Sequence, residues 1–555
     1  MEQSRLLIAI LLSLIVFLAW QFIFSPDEAK QRQAQKSEAP AVVEKPAVKE
    51  PEKPLPEVIE KPAPFEEVDV KESPPQTAAI ITVDTPLYQA KISENGAVFF
   101  SFLLKDYREG VQKDSPLKQI LTNEEALGVG RLGLTGKSVA GLDQAIFRTD
   151  LASNRLAVTD SPRNLTFSWR SQDGVLIEKT YKFEPDSYAI GMDVTVKNGS
   201  GRSIQDRLFV ALNGRAPGEK RMYAFEGPSA LINNKLKEIK TKKLEDQNTF
   251  DGKIKWVGLQ SRYFMTAVIP GQIDEASLHL SLNPDQFLAA QYRQSEKAIQ
   301  PGTQYSYKYQ LFMGPKRTQT LKAVGNDLQK AVDFGWFDFI AKPCLWLMNL
   351  FYSVIPNYGV AIIILTMLVK LLLWPLGQKS YKSMSEMKKL QPLMKEIREK
   401  YKNDKQRMNQ EVMGLYRTYK INPLGGCLPM VVQLPVFFAL YRMLYEAIEL
   451  RHAPFFLWIN DLSAPDRLFR FNFTVPFMEP PYGIPVLTII MGASMLLQQK
   501  MSPPMGDATQ AKMMMFMPII FTVIFINFSS GLVLYWLVNN IISIAQQYFT
   551  QKKYA

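Results

Sequence analysis

Cysteine and histidine are nearly missing from this 555-residue chain, which holds two of each: Cys344, Cys427, His279 and His452. Two cysteines in separate apolar segments exclude a disulfide framework. Histidines that stand alone do not offer metal-ligand spacing, so no metal and no other cofactor is expected. A phosphate loop is missing too. The stretch "GVGRLGLTGKS" (128–138) looks like one, but the motif needs a glycine five positions before Gly136, where Arg131 stands. A glycine-containing turn between strands is the better reading. No nucleophile-and-base arrangement emerges, so no catalytic residues are assigned and no enzyme is expected.

What is present is gathered in blocks. Lys and Arg number 65 against 53 Asp and Glu, a net charge of +12. Such an excess suits nucleic acid or the cationic loops beside membrane helices, and placement decides between them. Residues 6–24 are almost unbroken apolar sequence, longer than a signal-peptide core and without a small-residue cleavage site. Segment 1–24 is therefore read as an uncleaved membrane anchor. Residues 25–76 hold ten prolines among Lys, Glu and Ala, which describes an extended, disordered linker. From 77 to 330, stretches such as "VLIEKTYKFE" and "YAIGMDVTVKN" alternate and are broken by "SQDG", "EPDS" and "NGSGR". These are strands and turns, and they predict a large antiparallel β-sandwich domain.

Segment 331–354 is rich in Trp and Phe and reads as an amphipathic helix lying on a membrane surface. Beyond it, 355–549 reads as an all-α membrane core. Candidate spans are 355–376, 424–440, 482–497, 513–528 and 532–548, several of them shorter than the ~20 residues usually needed. With the anchor, six transmembrane helices result, and both termini share one side. Segment 377–421 carries twelve Lys and Arg against five Asp and Glu, whereas 447–481 carries three against four. The positive-inside rule then puts the termini, including a short tail 550–555, in the cytoplasm and the sandwich outside, in the periplasm of a two-membrane cell. Within 379–420, Met384, Met387, Met394 and Tyr401, then Met408, Val412, Leu415 and Tyr419, recur at helical spacing. They predict a cytoplasmic helical hairpin. Its cations Lys388, Lys389, Lys395 and Arg398 are candidate contacts for anionic lipid, ribosomal RNA or a protein partner.

One charge interrupts the first of the five later spans. "ILTMLVKLLLWPL" (364–376) contains Lys370, with Thr366 one turn earlier on the same face. Gln433 lies in the next span, and Asn539, Asn540, Ser543, Gln546 and Gln547 form a stripe in the last. Lys370 sits about 9 Å from the cytoplasmic end of its span at about 1.5 Å per residue, so these groups can converge in the inner leaflet. No acidic residue lies in any candidate span. Polar groups of this kind face a bundle interior or a wet cavity. Snorkelling of the lysine to the headgroups is the structural alternative. A small-anion transporter is the functional one, disfavoured because the polar groups keep to one half and no internal repeat is evident.

Several segments carry a resemblance. "NPLGGCLPMVVQLPVFFALYRML" (422–444), "LRHAPFFLWINDLS" (450–463), "QQKMSPP" (498–504), "MMFMPIIFTVIF" (514–525) and "FSSGLVLYWLVNNIISIAQQ" (528–547) resemble the YidC membrane protein insertases. The likeness is dense over 351–549 and looser over the outer domain. It implies insertion and folding of inner-membrane proteins, alone or beside the Sec translocon, through a positively charged hydrated groove open to cytoplasm and lipid. The implied partners are nascent membrane proteins and the bilayer, with the ribosome and the signal recognition particle receptor as candidates for the hairpin. Lys370 occupies the place of the family's groove arginine, which keeps the charge but loses the planar fork for carboxylates. Thr366 matches the family's substrate-contacting threonine. Tyr535 and Trp536 match its aromatic pair, commonly two tyrosines. The short tail departs from members with long basic ribosome-docking extensions.

Overall fold

The computed structural model describes residues 78–218, 224–419, 428–502 and 508–554. The expected anchor at 1–24 and linker at 25–76 lie outside these residues, as do Cys427 and the start of the span expected at 424.

The sheet domain runs from Ile80 to Pro315. A five-stranded sheet, built on Val98–Arg108, Tyr88–Ser93 and Ile80–Asp84, faces a thirteen-stranded one. Alternation produces the packing. In Val175–Phe183 every second side chain is buried, and Ala189–Asn198, paired with it from Gly191↔Lys182 to Asn198↔Val175, repeats the pattern. Rings from the two sheets meet between the layers. Phe99 of the small sheet stands edge-on to Tyr181 of the large one at 4.8 Å between centroids. The antiparallel expectation needs one correction, since Ile80–Asp84 pairs parallel to Arg155–Ala157. Some 70 residues of other structure separate those strands, and a long crossover permits parallel pairing where a hairpin cannot.

Two sequence features find their explanation here. The loop-like 128–138 stretch includes the strand Arg131–Leu134 and then wraps the carboxylate of Asp206. That carboxylate accepts from Thr135 Oγ1 at 2.9 Å, Gly136 N at 2.8 Å and Ser138 N at 3.2 Å, so the turn's donors serve a side chain of the same chain. His279 pairs across strands with Thr249 at 3.0 Å, a half-buried contact between side chains of the same sheet.

A feature missed in the sequence is Lys179, which is 0% exposed. Its ammonium donates to the carbonyls of Gly130 at 2.6 Å, Ala97 at 2.7 Å and Gly96 at 3.2 Å. Burial, with Arg131 nearby, pushes its pKa well below the ordinary lysine value. The signal was available, because Lys179 falls on the same face of its strand as Val175, Ile177, Tyr181 and Phe183.

The helical region begins with α1 (Thr318–Val324) and two single 3₁₀ turns. Helix α2 covers Asp338–Val354, so the helix expected over 331–354 starts later. It buries Ala341, Cys344, Leu345 and Met348 on one face and exposes Phe339, Trp346, Leu350 and Val354 on the other. Then follow α3 (Tyr358–Lys389), α4 (Gln391–Lys400), α5 (Lys405–Thr418), α6 (Leu428–Glu446), α7 (Val486–Met501), α8 (Ala508–Phe525) and α9 (Ser530–Tyr554). Among the described residues α3 alone is long and apolar enough to cross a bilayer by length and composition. Val486–Met501 and Met513–Phe525 are apolar but shorter.

Several expected boundaries move. The span expected to end at 376 continues without a break into the basic segment, because Pro375 and Gly377 are accommodated inside α3. The first hairpin helix, expected through Met384 to Tyr401, is divided at Leu390. Pro392 supplies the reason, since it has no N–H to donate and suits the first turn of a new helix. The second turn, at 401–404, agrees with expectation, and the Asp404 carboxylate caps α5 through Arg407 N at 3.0 Å. The segment expected as helix from 482 opens instead as a strand, Tyr482–Ile484, paired with Leu468–Phe471. Pro485 separates that strand from α7.

Candidate functional site

Helix α9 is the spine of the helical region and packs along α3 and α7. Where α3 and α9 run closest, Gly377 leaves room for Gln546, and an added Cβ would lie 2.8 Å from that side chain. Gln546 Nε2 donates to the Trp374 carbonyl at 2.9 Å, which holds the two helices in register.

About two turns away, Lys370 meets side chains from two other helices. Its Nζ donates to Ser543 Oγ on α9 at 2.8 Å and to Gln433 Oε1 on α6 at 3.4 Å. Gln433 Nε2 in turn donates to Asn539 Oδ1 on α9 at 2.7 Å. Ser543 Oγ also donates back to the Asn539 carbonyl at 2.7 Å. Lys370, Gln433, Asn539 and Ser543 therefore form one network. Its acceptors are an amide and a hydroxyl, both neutral, and among the described residues no carboxylate pairs with Lys370. A lysine held only by neutral dipoles has no resident counter-ion, so an incoming carboxylate can pair with it.

Of the remaining expected site residues, Tyr535 adjoins this network beside Gln433 and the others lie outside it. Thr366 is buried and its hydroxyl donates to the carbonyl of Ile362 at 2.7 Å, within its own helix. Asn540 faces α7, where Nδ2 donates to Ser494 Oγ at 3.1 Å. Gln547 reaches Ser502 at 3.4 Å. Tyr535 is buried. Trp536, one turn from Asn539, lies in an aromatic cluster with Phe437 at 4.8 Å, Phe525 at 5.0 Å and Phe521 at 6.3 Å. Lys388, Lys389 and Lys395 are exposed and Arg398 is half-buried. Lys395 lies 4.0 Å from Glu399, and Lys388 and Lys389 close the last turn of α3, where cations complement the helix dipole. Among the described residues no group of His, Cys, Asp and Glu could hold a metal ion.

Sequence reading missed the polar anchor at the other end of the bundle. Arg467 is buried, and its guanidinium donates to the carbonyls of Asp466, Pro481 and Ile526, each at 2.8 Å. It also reaches Asn527 Oδ1 at 3.2 Å. Asn527, expected within a span, lies instead in the turn between α8 and α9. A lone arginine in a loop gives no periodic signal, and only the fold brings those acceptors to it.

Comparison with known proteins accounts for both halves. The family model described as 60Kd inner membrane protein matches residues 350–555, and the YidC periplasmic domain model matches residues 80–347. The "Membrane protein insertase YidC" of Syntrophus aciditrophicus is 45% identical over 478 residues, 85% of either chain. That of Geotalea daltonii is 39% identical over 558 residues, 99% of either chain. A crystal structure titled "Active YidC insertase crystal structure with the first transmembrane domain resolved" aligns at 19% identity, with a TM-score of 0.37, over 85% of this chain and 95% of that one. On the two family models and the full-length identity, the chain belongs to the YidC family of membrane protein insertases.

Proposed function

We propose that Lys370 is the cation of a hydrated groove, open to cytoplasm and lipid and closed toward the periplasm, in which this insertase receives the segment it translocates. The observation that carries the reading is the network itself. The Lys370 ammonium is held at 2.8 Å by a hydroxyl and at 3.4 Å by an amide, and among the described residues no acid pairs with it. The aromatic cluster around Trp536 and the Arg467 anchor beyond it support closure on the far side.

In this reading α3, α6, α7, α8 and α9 cross the bilayer together with the apolar sequence 1–24, six crossings in all, with both termini cytoplasmic. An acidic tail entering from the cytoplasm is drawn to Lys370 by Coulomb attraction that bulk water screens poorly. Short helices such as Val486–Met501 tilt or thin the bilayer around them, which shortens the dry distance the tail must cross. The substrate helix then moves along apolar side chains into lipid, driven by its own burial. The exposed rings of α2 suit a helix lying at the membrane surface. The exposed cations of the hairpin, Lys388, Lys389 and Lys395, would recruit substrate complexes, with the ribosome and the signal recognition particle receptor as candidates and the Sec translocon as a partner.

Reconstituted insertion of substrates with acidic tails tests the groove. Lys370→Arg retains activity. Lys370→Glu lowers it about tenfold or more, the equivalent of ~1.4 kcal/mol out of the several that charge reversal removes at an effective dielectric near ~20. Equal activity of the two variants overturns charge capture.

A further inference from the structure

The loop joining α6 to α7, residues 447–485, presents several large apolar side chains outward. Leu457 is 86% exposed, Phe477 81% and Phe469 73%. Those three also have positive φ, at 58°, 63° and 48°. Bulky side chains rarely adopt such backbone, and where they do the strain points to a use for the exposed group. Phe456 and Phe473 are exposed beside them.

Polar side chains inside the loop bond to the loop and its flanking helices. The Arg467 guanidinium serves the carbonyls of Asp466, Glu479, Pro481 and Ile526 and the Asn527 amide. The Asp466 carboxylate accepts from Trp458 Nε1 at 2.6 Å and from Leu487 N at the start of α7. Asp461 accepts from His452 N at 3.0 Å and from Ser463. Arg470 and Glu479 remain exposed. A segment that meets its polar needs internally while displaying rings is suited to a neighbour that offers no hydrogen bonds.

Location identifies that neighbour. Phe455 packs against Gly359, and Asn357 Nδ2 reaches the Phe455 carbonyl at 3.5 Å, so Phe456 and Leu457 flank the start of α3, the helix of membrane length. On its other side the loop meets the sheet domain, where Arg451 donates to the carbonyl of Arg108. The exposed apolar tips lie at three places along the loop, 456–457, 469–473 and 477. We propose that this loop is a membrane-seated wedge whose apolar tips lie in the leaflet on the side of the periplasmic domain. Its partner is lipid, met by acyl chains at the tips and by headgroups at Arg470 and Glu479.

The test uses the full chain, with Cys344 and Cys427 replaced, in vesicles of phosphatidylethanolamine and phosphatidylglycerol. Leu457→Cys, Phe473→Cys and Phe477→Cys each carry a polarity-sensitive fluorophore, and Asp285→Cys, on an exposed turn of the sheet domain, serves as the wet control. Lipid spin-labelled near the top of the acyl chain is expected to remove most of the emission at the three tips and little at position 285, while iodide does the reverse. Phe473 has no unusual backbone, so it reads the surface even if a change at the strained positions disturbs the loop. Iodide quenching at the tips equal to the control overturns the proposal. Protection from both quenchers overturns it as well, because a second copy or another segment of this chain would then cover the tips.

Discussion

Lys179 in the sheet domain and Lys370 in the helical region are both taken largely out of water, yet their protons end on different kinds of acceptor. Lys179 spends its three donors on three main-chain carbonyls, two of them in the turn of the opposing sheet. Those carbonyls cannot move without moving the strands. Lys370 leans on Ser543 and Gln433, side chains that rotate. The first lysine is therefore a strut, while the second holds its charge in reserve. Burial alone does not distinguish a structural cation from a functional one; the stiffness of its acceptors does.

The largest effect expected from this contrast is on folding. Lys179→Met leaves the carbonyls of Gly96 and Gly130 without that donor inside the sandwich, at a cost of about 2–4 kcal/mol. For a domain of this size that lowers the Tm by roughly 5–12 °C, followed by the far-ultraviolet strand signal of the purified chain. The pH dependence has a definite sign. Folding lowers the pKa of Lys179 below its ordinary value of 10.5, so between the two values the unfolded chain binds more protons than the folded one. Stability then rises with pH through that window, and the Lys179→Met chain lacks this contribution. Unchanged Tm in the variant would remove the strut from the comparison.

Lys370→Met tests the other side. The Gln433–Asn539 bond at 2.7 Å and the Ser543 contact with the Asn539 carbonyl survive the change, so the Gln433 and Ser543 side chains each keep a bond in which they donate. The expected loss of stability is under about 1 kcal/mol, even as insertion of acidic-tailed substrates falls. A drop in Tm as large as that of Lys179→Met would make both lysines structural and collapse the distinction.

How far each region could be read from sequence follows from the same physics. Period-two alternation in "VLIEKTYKF" announced a strand, but the inward face of Lys179 went unread, because a charged residue on a buried face is easily set aside as an exception. Lys370 was conspicuous because a charge in "ILTMLVKLLLWPL" breaks an apolar run, and the stripe on α9 located its partner Ser543. The bridge from Gln433 to Asn539 depends on the rotation of α6 against α9, which periodicity does not determine. Helix ends moved for local reasons, through Pro392 at the start of α4 and Pro485 before α7. The Arg467 anchor was illegible because its acceptors come from three stretches, 466, 479–481 and 526–527, that meet only in the folded loop.

The smallest change sharpens the contrast most. Ser543→Ala deletes the 2.8 Å acceptor of Lys370 but leaves Gln433 at 3.4 Å and improves helix propensity on α9. The two effects on stability nearly cancel, to within about 0.5 kcal/mol. Insertion is expected to slow by about twofold, because an ammonium held by one acceptor must be ordered by the incoming carboxylate itself. Thermal unfolding and insertion kinetics on the same preparation separate the outcomes. If Ser543→Ala unfolds the chain several degrees early while insertion by the folded fraction is unchanged, the hydroxyl is holding helices together. Lys370 would then belong with Lys179, as a cation whose acceptors are there to build the fold.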